Sequence, residues 1–170
     1  KYGKNGENLT TSISYSSDSL IENIFLNSNC NEISNIQSFG GPTQIGRFEG
    51  GASSIQIESG IILSSGNVQN AQGPNGQNGT GNSSGGYSDP DLFSIGKGSM
   101  IFDAAGIEFD FVPSISKVQF NYVFASEEYE EYTCSNFNDV FGFFINGPGI
   151  GYNKNIALIP NTTIPVKINT

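Results

Sequence analysis

The sequence lacks histidine and tryptophan and carries few basic residues. Without histidine, it has neither the commonest general base nor the commonest zinc ligand, and Ser-His and Cys-His nucleophile pairs are excluded. Seven basic residues stand against sixteen acidic ones, a net charge of -9 that repels a phosphate backbone, so no nucleic-acid binding is predicted. The longest apolar stretch, 140–145, is far below the roughly 20 residues that span a bilayer, so no membrane insertion is predicted.

The chain has only two cysteines, and they are far apart in sequence. Cys30 and Cys134 lack the close spacing of a redox or metal motif. A structural disulfide between them is the natural interpretation, and it predicts an oxidising, extracellular compartment. Two unpaired buried thiols are the alternative.

The composition is that of a folded domain. With 170 residues, 36% hydrophobic and 12% aromatic, the chain can bury one core, so a single β-rich domain over 1–170 is predicted.

Most of the chain shows strand patterns. The clearest is 118–125, where apolar side chains alternate with a period of two, as in a half-buried antiparallel strand. Strands separated by Gly, Asn and Pro favour a mostly β fold, an antiparallel β-sandwich or jelly roll. Further strands are predicted from Ile55 and Ile57 to Ile61–Leu63, at 107–111 before Pro113, at Val140–Ile145 and at Ile156–Ile159, with a turn at 147–149.

One short helix is predicted near the N-terminus, where Ser19 and Glu22 have the spacing of a capping box. Its apolar face comprises Leu20, Ile21, Ile24 and Phe25.

The segment 66–90 is rich in Gly, Asn, Gln and Ser, and its only apolar side chains are Val68, Ala71 and Tyr87. A composition this polar cannot offset its ordering entropy by burial. We therefore predict a long, flexible surface loop that adds nothing to the core.

Acidic residues are concentrated between 127 and 139 with no basic residue among them. Clustered carboxylates with Asn and backbone carbonyls suit Ca²⁺, which takes six to eight oxygen ligands. We predict a calcium site formed by Glu127, Glu128, Glu131 and Asp139. A solvated acidic turn is the alternative.

Two further features are weaker candidates for a binding site. Asp89 and Asp91 are a possible second metal set, although turn chemistry explains Asp-Pro-Asp without an ion. Tyr129 and Tyr132 offer a stacking face for a sugar. A glycosidase pair, Glu127 or Glu128 with Asp139, is conceivable, but the absence of Trp counts against it, and the protein is predicted not to be an enzyme.

Three long motifs carry a family resemblance. IEFDFVP (107–113), FNYVFASEEY (120–129) and NDVFGFF (138–144) resemble the choice-of-anchor L domain, and GIILSSG (60–66) and NIALIP (155–160) extend the match. The resemblance implies a secreted or surface-displayed bacterial module, often from Bacteroidota with type IX secretion and gliding-motility-associated C-terminal domains. Members of that family continue past the end of this chain, so an incomplete C-terminus is expected. It implies no catalytic residues.

The sequence thus predicts an extracellular binding module, a calcium-stabilised adhesin domain used in attachment or gliding, with a glycan or other surface ligand as partner. The alternative is a passive structural or cargo module, recognised by the secretion machinery, by surface-anchoring components or by a neighbouring domain.

Overall fold

The computed structural model describes residues 9–26, 32–73, 81, 86–96, 100–114, 116–126 and 138–168. Within them the strands pair only in antiparallel sheets, and the helical segments are short, so the predicted mostly β fold is confirmed. The strands are β1 (Thr10–Ser12), β2 (Glu32–Phe39), β3 (Ile45–Glu49), β4 (Ser59–Leu63), β5 (Gly106–Val112), β6 (Phe144–Gly147) and β7 (Gly151–Asn155). The helical segments are α1 (Ser17–Ser19), a π-helix (Leu20–Phe25), α2 (Ala52–Ile55), a 3₁₀ helix (Val68–Gln72) and α3 (Pro90–Ile95).

The chain divides into two compact units. Unit 1 comprises Lys1–Tyr87 and Phe102–Val123, and unit 2 comprises Ser88–Ile101 and Phe124–Thr170. A domain can contain two such units, so the predicted single domain over 1–170 stays a prediction.

Unit 1 contains a three-stranded sheet in the order β1-β3-β4. Phe48 of β3 is buried. The 3₁₀ helix contacts β1, and the π-helix contacts β4. At Gly46 an added Cβ would clash with the carbonyl oxygen of Ser12, so the absence of a side chain lets β1 approach β3 closely.

A second sheet in unit 1 pairs β2 with β5, which confirms the strand predicted before Pro113. The register shifts between Ser34 and Gln37, where Asn35 has a φ of 54°. Asn35 Nδ2 donates to Asp110 Oδ2 at 2.6 Å, which links this bulge to the neighbouring strand.

The N-terminal helix is present, but its predicted cap is wrong. Ser16, not Ser19, is the N-cap: its side chain accepts from the Ser19 amide at 3.2 Å, and its carbonyl accepts from the Leu20 amide at 2.9 Å. The helix therefore begins before the predicted cap. Leu20 and Ile21 are buried, as their apolar pattern predicted.

The segment with the clearest alternation does not form a strand in this structure. Residues 117–126 carry no ladder, while β5 pairs with β2. Phe120 instead packs against Phe25, with ring centres 6.2 Å apart, and Phe25 also contacts Phe109 at 6.0 Å. Val118 and Tyr122, which the alternation assigns to the same face as Phe120, are exposed. An alternating sequence forms a strand only where its backbone has a partner. Ile55 likewise lies in α2 rather than in a strand.

The polar segment 66–90 contributes to the core, contrary to the prediction. Val68 has no exposed surface. It begins the 3₁₀ helix, whose N-cap Asn67 accepts from the Gln69 amide at 2.9 Å. This cap stabilises the short helix that places Val68 in the core, although the surrounding sequence is polar. Residues 74–80 and 82–85 lie outside the described residues, so the predicted flexibility stays a prediction.

Gln44 is fully buried and joins distant parts of unit 1. Its Nε2 donates to the carbonyl oxygens of Ser65 at 2.9 Å and Asp103 at 2.7 Å, and its Oε1 accepts from the Gly41 amide. Asp103 Oδ1 in turn accepts from the Gly86 amide at 3.1 Å. Ser65 and Gly86 lie at the two ends of the polar segment, so Gln44 and Asp103 fix both ends.

Unit 2 contains the β6–β7 hairpin. Its turn lies at 148–150 and overlaps the predicted 147–149, and the Ile150 amide donates to the Gly147 carbonyl at 3.0 Å. The predicted strands at 140–145 and 156–159 are shifted, because Asn155 Oδ1 accepts from the amides of Phe143 at 3.1 Å and Ala157 at 3.0 Å. The Ile156 amide also donates to the Phe143 carbonyl at 2.8 Å, beside these side-chain bonds. Outside β6 and β7, the segments form only isolated bridges, Val140 with Lys167 and Leu158 with Pro165.

Candidate functional site

The strongest candidate site in the described part of the chain lies at the two ends of segment 127–137. Ser126 Oγ donates to Asp139 Oδ2 at 2.6 Å in a partly buried position. The Asp139 carbonyl accepts from the Ile168 amide at 3.0 Å, which fixes Asp139 to the last bridged segment. Ser126 directly precedes segment 127–137 and Asp139 lies two residues after it, so the described residues on either side of this segment meet in unit 2.

Asp139 is the member of the predicted calcium set that the structure describes. The other predicted residues of this region, and both cysteines, lie outside the described residues. The calcium set, the stacking tyrosines and the disulfide therefore stay predictions. The residues concerned are Glu127, Glu128 and Glu131 for calcium, Tyr129 and Tyr132 for stacking, and Cys30 and Cys134 for the disulfide.

A buried lysine beside this site was missed by the sequence analysis. Lys167 is 6% exposed, and its backbone bridges Val140, the residue after Asp139. An ammonium group at this burial needs hydrogen-bonding or charged partners. No local pattern signals the proximity, because the two residues are distant in sequence.

Asp89 acts as a helix cap. Its Oδ1 accepts from the amides of Asp91 and Leu92, both at 2.9 Å, and Pro90 occupies the first turn of α3. A carboxylate at this position satisfies amides that have no partner within the helix. Asp89 thus caps α3, and a metal role for Asp89 and Asp91 stays a prediction.

Asp91 has a different partner. Its Oδ1 accepts from Asn153 Nδ2 at 2.7 Å, which links α3 to β7. The two carboxylates are thus engaged by separate protein donors. Among the described residues, no group of three or more Asp, Glu, Cys or His side chains is arranged to hold a metal ion.

The chain's single arginine lies in unit 1. Arg47 Nη1 donates to the Tyr15 hydroxyl at 3.1 Å, the guanidinium carbon lies 5.6 Å from the Tyr15 ring centre, and Nη2 pairs with Glu49. The hydrogen bond to Tyr15 raises the pKa of Arg47. The ion pair with Glu49, on the same strand, neutralises the charge of Arg47 locally.

The antiparallel fold and the acid-rich segment define a β-rich module with a candidate ligand-binding segment. The family model of the Choice-of-anchor L domain matches residues 9–170, so the chain belongs to this family. It is therefore a surface-associated bacterial module, of a surface or secreted protein.

A search of curated proteins and a search of solved structures give no match to this chain. None of the helices in the described residues is long and apolar enough to cross a membrane.

Proposed function

We propose that this domain is an extracellular binding module of a bacterial adhesin, that its acidic segment binds Ca²⁺, and that it serves attachment or gliding. The observation that carries the proposal is the hydrogen bond between Ser126 and Asp139. It holds one carboxylate at the point where the acidic segment begins and ends. Glu127, Glu128 and Glu131 follow Ser126 directly, so a folded segment can direct several oxygen ligands toward one ion.

The calcium step is tested by thermal melts of the chain in millimolar Ca²⁺ and in chelator. A ligand that binds only the folded state at 100 times its Kd adds about 2.7 kcal/mol to the free energy of unfolding. For a chain of this length, that raises Tm by about 5 to 10 °C. Equal melting temperatures in the two conditions would refute the calcium step.

A matched pair of variants locates the ion. Asp139→Asn removes one negative charge but keeps an oxygen that accepts from Ser126, and Glu58→Gln removes the same charge at an exposed position of unit 1. We expect Asp139→Asn to reduce the Ca²⁺-dependent rise in Tm and Glu58→Gln to preserve it. An equal rise in both variants would place the ion elsewhere.

The ligand step is tested with a glycan array in Ca²⁺. We expect binding that Glu128→Ala abolishes while the melt still shows a folded protein, with Tyr129 and Tyr132 as stacking surfaces. Absence of binding to any glycan would count against a sugar as the ligand, while the melts would still decide the calcium step.

A second candidate function is a passive module, a spacer or cargo domain recognised by the secretion machinery, by anchoring components or by a neighbouring domain. The observation that favours it is Lys167, a buried protein cation whose backbone lies beside Asp139. Such a residue can offset carboxylate charge without a metal. A spacer should retain cell attachment when Glu130 and Glu131 are neutralised, whereas an adhesin should lose it.

We expect no hydrolase activity in either case. Incubation with chitin, xylan and other glycans should release no reducing ends, and their release would support the Glu128 and Asp139 carboxylate pair instead.

A further inference from the structure

We propose that Asn146 is a deamidation site and that its hydrogen bonds to Asn153 set the rate of the reaction. Asn146 is exposed and is followed by Gly147 at the end of β6. A glycine has no Cβ to hinder attack by its own amide nitrogen on the preceding side chain. The sequence Asn-Gly is therefore the most reactive context for this chemistry.

The reaction has two balanced steps. The Gly147 nitrogen attacks Asn146 Cγ, forming a C–N bond, while the Cγ–Nδ2 bond breaks and ammonia leaves with the proton of the Gly147 amide. Water then opens the cyclic imide at either carbonyl, which leaves an aspartate or its β-linked isomer at this position. Ammonia is lost and water is gained, and neither an oxidant nor an enzyme is required.

The hairpin engages both polar atoms of the reacting side chain. Asn146 Nδ2, the leaving group, donates to Asn153 Oδ1 at 3.0 Å, and Asn146 Oδ1 accepts from the Asn153 amide. Cyclisation requires the side chain to rotate toward the Gly147 nitrogen, so both hydrogen bonds must break before the atoms align. The two hydrogen bonds between Asn146 and Asn153 therefore slow the reaction.

Asn153 is itself held by α3. Its Nδ2 donates to Asp91 Oδ1 at 2.7 Å, and its φ of 44° lies in the left-handed region. After deamidation, the side chain of residue 146 has no N–H to donate to Asn153 Oδ1, and its new negative charge lies on the same polar network as Asp91. Deamidation thus weakens the connection between the hairpin and α3.

The first test compares deamidation rates at constant pH and temperature. Trypsin releases residues 118–154 as one peptide, in which Asn146 is the only Asn that precedes Gly. After reduction, mass spectrometry of this peptide separates the reaction from that at Asn5, Asn75 and Asn78, which also precede Gly.

Asn153→Gly removes the acceptor while tolerating the positive φ. We expect it to raise the rate at Asn146 roughly tenfold, the effect of about 1.4 kcal/mol in activation free energy. Asp91→Ala should raise it by less, because it only loosens Asn153, and this variant provides the test if Asn153→Gly does not fold.

Two control variants make the result specific. Gly147→Ala should slow the reaction about tenfold or more, and among the described residues its Cβ would lie in ordinary contact with Ile150 Cδ1, at 3.4 Å. Gln44→Glu destabilises unit 1 without altering the hairpin contacts and should leave the rate much closer to that of the wild type than Asn153→Gly does. An unchanged rate in Asn153→Gly, or an equal acceleration in Gln44→Glu, would overturn the proposal.

Discussion

Replacing Gln44 by Glu tests whether one buried side chain holds the polar segment to unit 1. The substitution keeps the shape of the side chain and an oxygen that accepts from Gly41. It removes the Nε2 donor that serves the carbonyl oxygens of Ser65 and Asp103. A buried acceptor left unpaired costs about 1–3 kcal/mol, and these two hydrogen bonds are partly buried. We therefore expect a total loss of about 3 kcal/mol in the free energy of unfolding, near the lower end of the range for two acceptors.

The loss corresponds to a Tm lower by about 6 to 12 °C for a chain of this length. Gln119→Glu is the matched control, because Gln119 is exposed and surface changes usually stay within about 0.5 kcal/mol. Equal melting temperatures in Gln44→Glu and Gln119→Glu would refute the stabilising role of Gln44.

The loss in free energy of unfolding caused by Gln44→Glu should also depend on pH. Burial raises the pKa of the new carboxyl in the folded state above its unfolded value of about 4.3. The folded state then keeps its proton more strongly, so the deficit is smallest below about pH 4 and grows as pH rises through the folded-state pKa. Urea titrations at several pH values, compared with those of Gln119→Glu, measure this trend.

Two further predictions concern single positions. Gly46→Ala should lower the free energy of unfolding by about 1–3 kcal/mol, because its Cβ would push Ser12 of β1 away from β3; chemical denaturation against Gly147→Ala measures it, and equal stabilities would contradict the close approach. Asp89→Ala should cost about 1 kcal/mol through loss of the α3 cap, and Asp89→Ser should recover most of it; a failure of Ser to recover stability in the same titration would indicate a role other than capping.

Local patterns predicted those parts of the fold that depend on neighbouring residues. The alternation at 107–111 led to β5, and the Gly-Pro-Gly sequence led to the turn of the β6–β7 hairpin. Segment 118–125 has an equally strong pattern and carries no strand. A period of two assigns side chains to faces but cannot supply the partner strand on which a ladder depends.

Long-range contacts account for what the sequence could not predict. Gln44 is one of several glutamines, and its bond to Asp103 spans 59 residues. Val68 enters the core from a polar segment because Asn67 caps its short helix. At the candidate site, clustering in sequence pointed to Asp139, whereas the bond to Ser126 and the nearby Lys167 backbone arise only from folding. The sandwich arrangement stays a prediction.

The contact between Ser126 and Asp139 has a consequence for sequence variation and for engineering. Segment 127–137 joins two points already at hydrogen-bond distance, so its length is not set by a gap that it must bridge. Doubling the length of a flexible loop costs only about 0.6 kcal/mol in closure entropy. We therefore expect a longer connection between Ser126 and Asp139 to cost little in closure entropy.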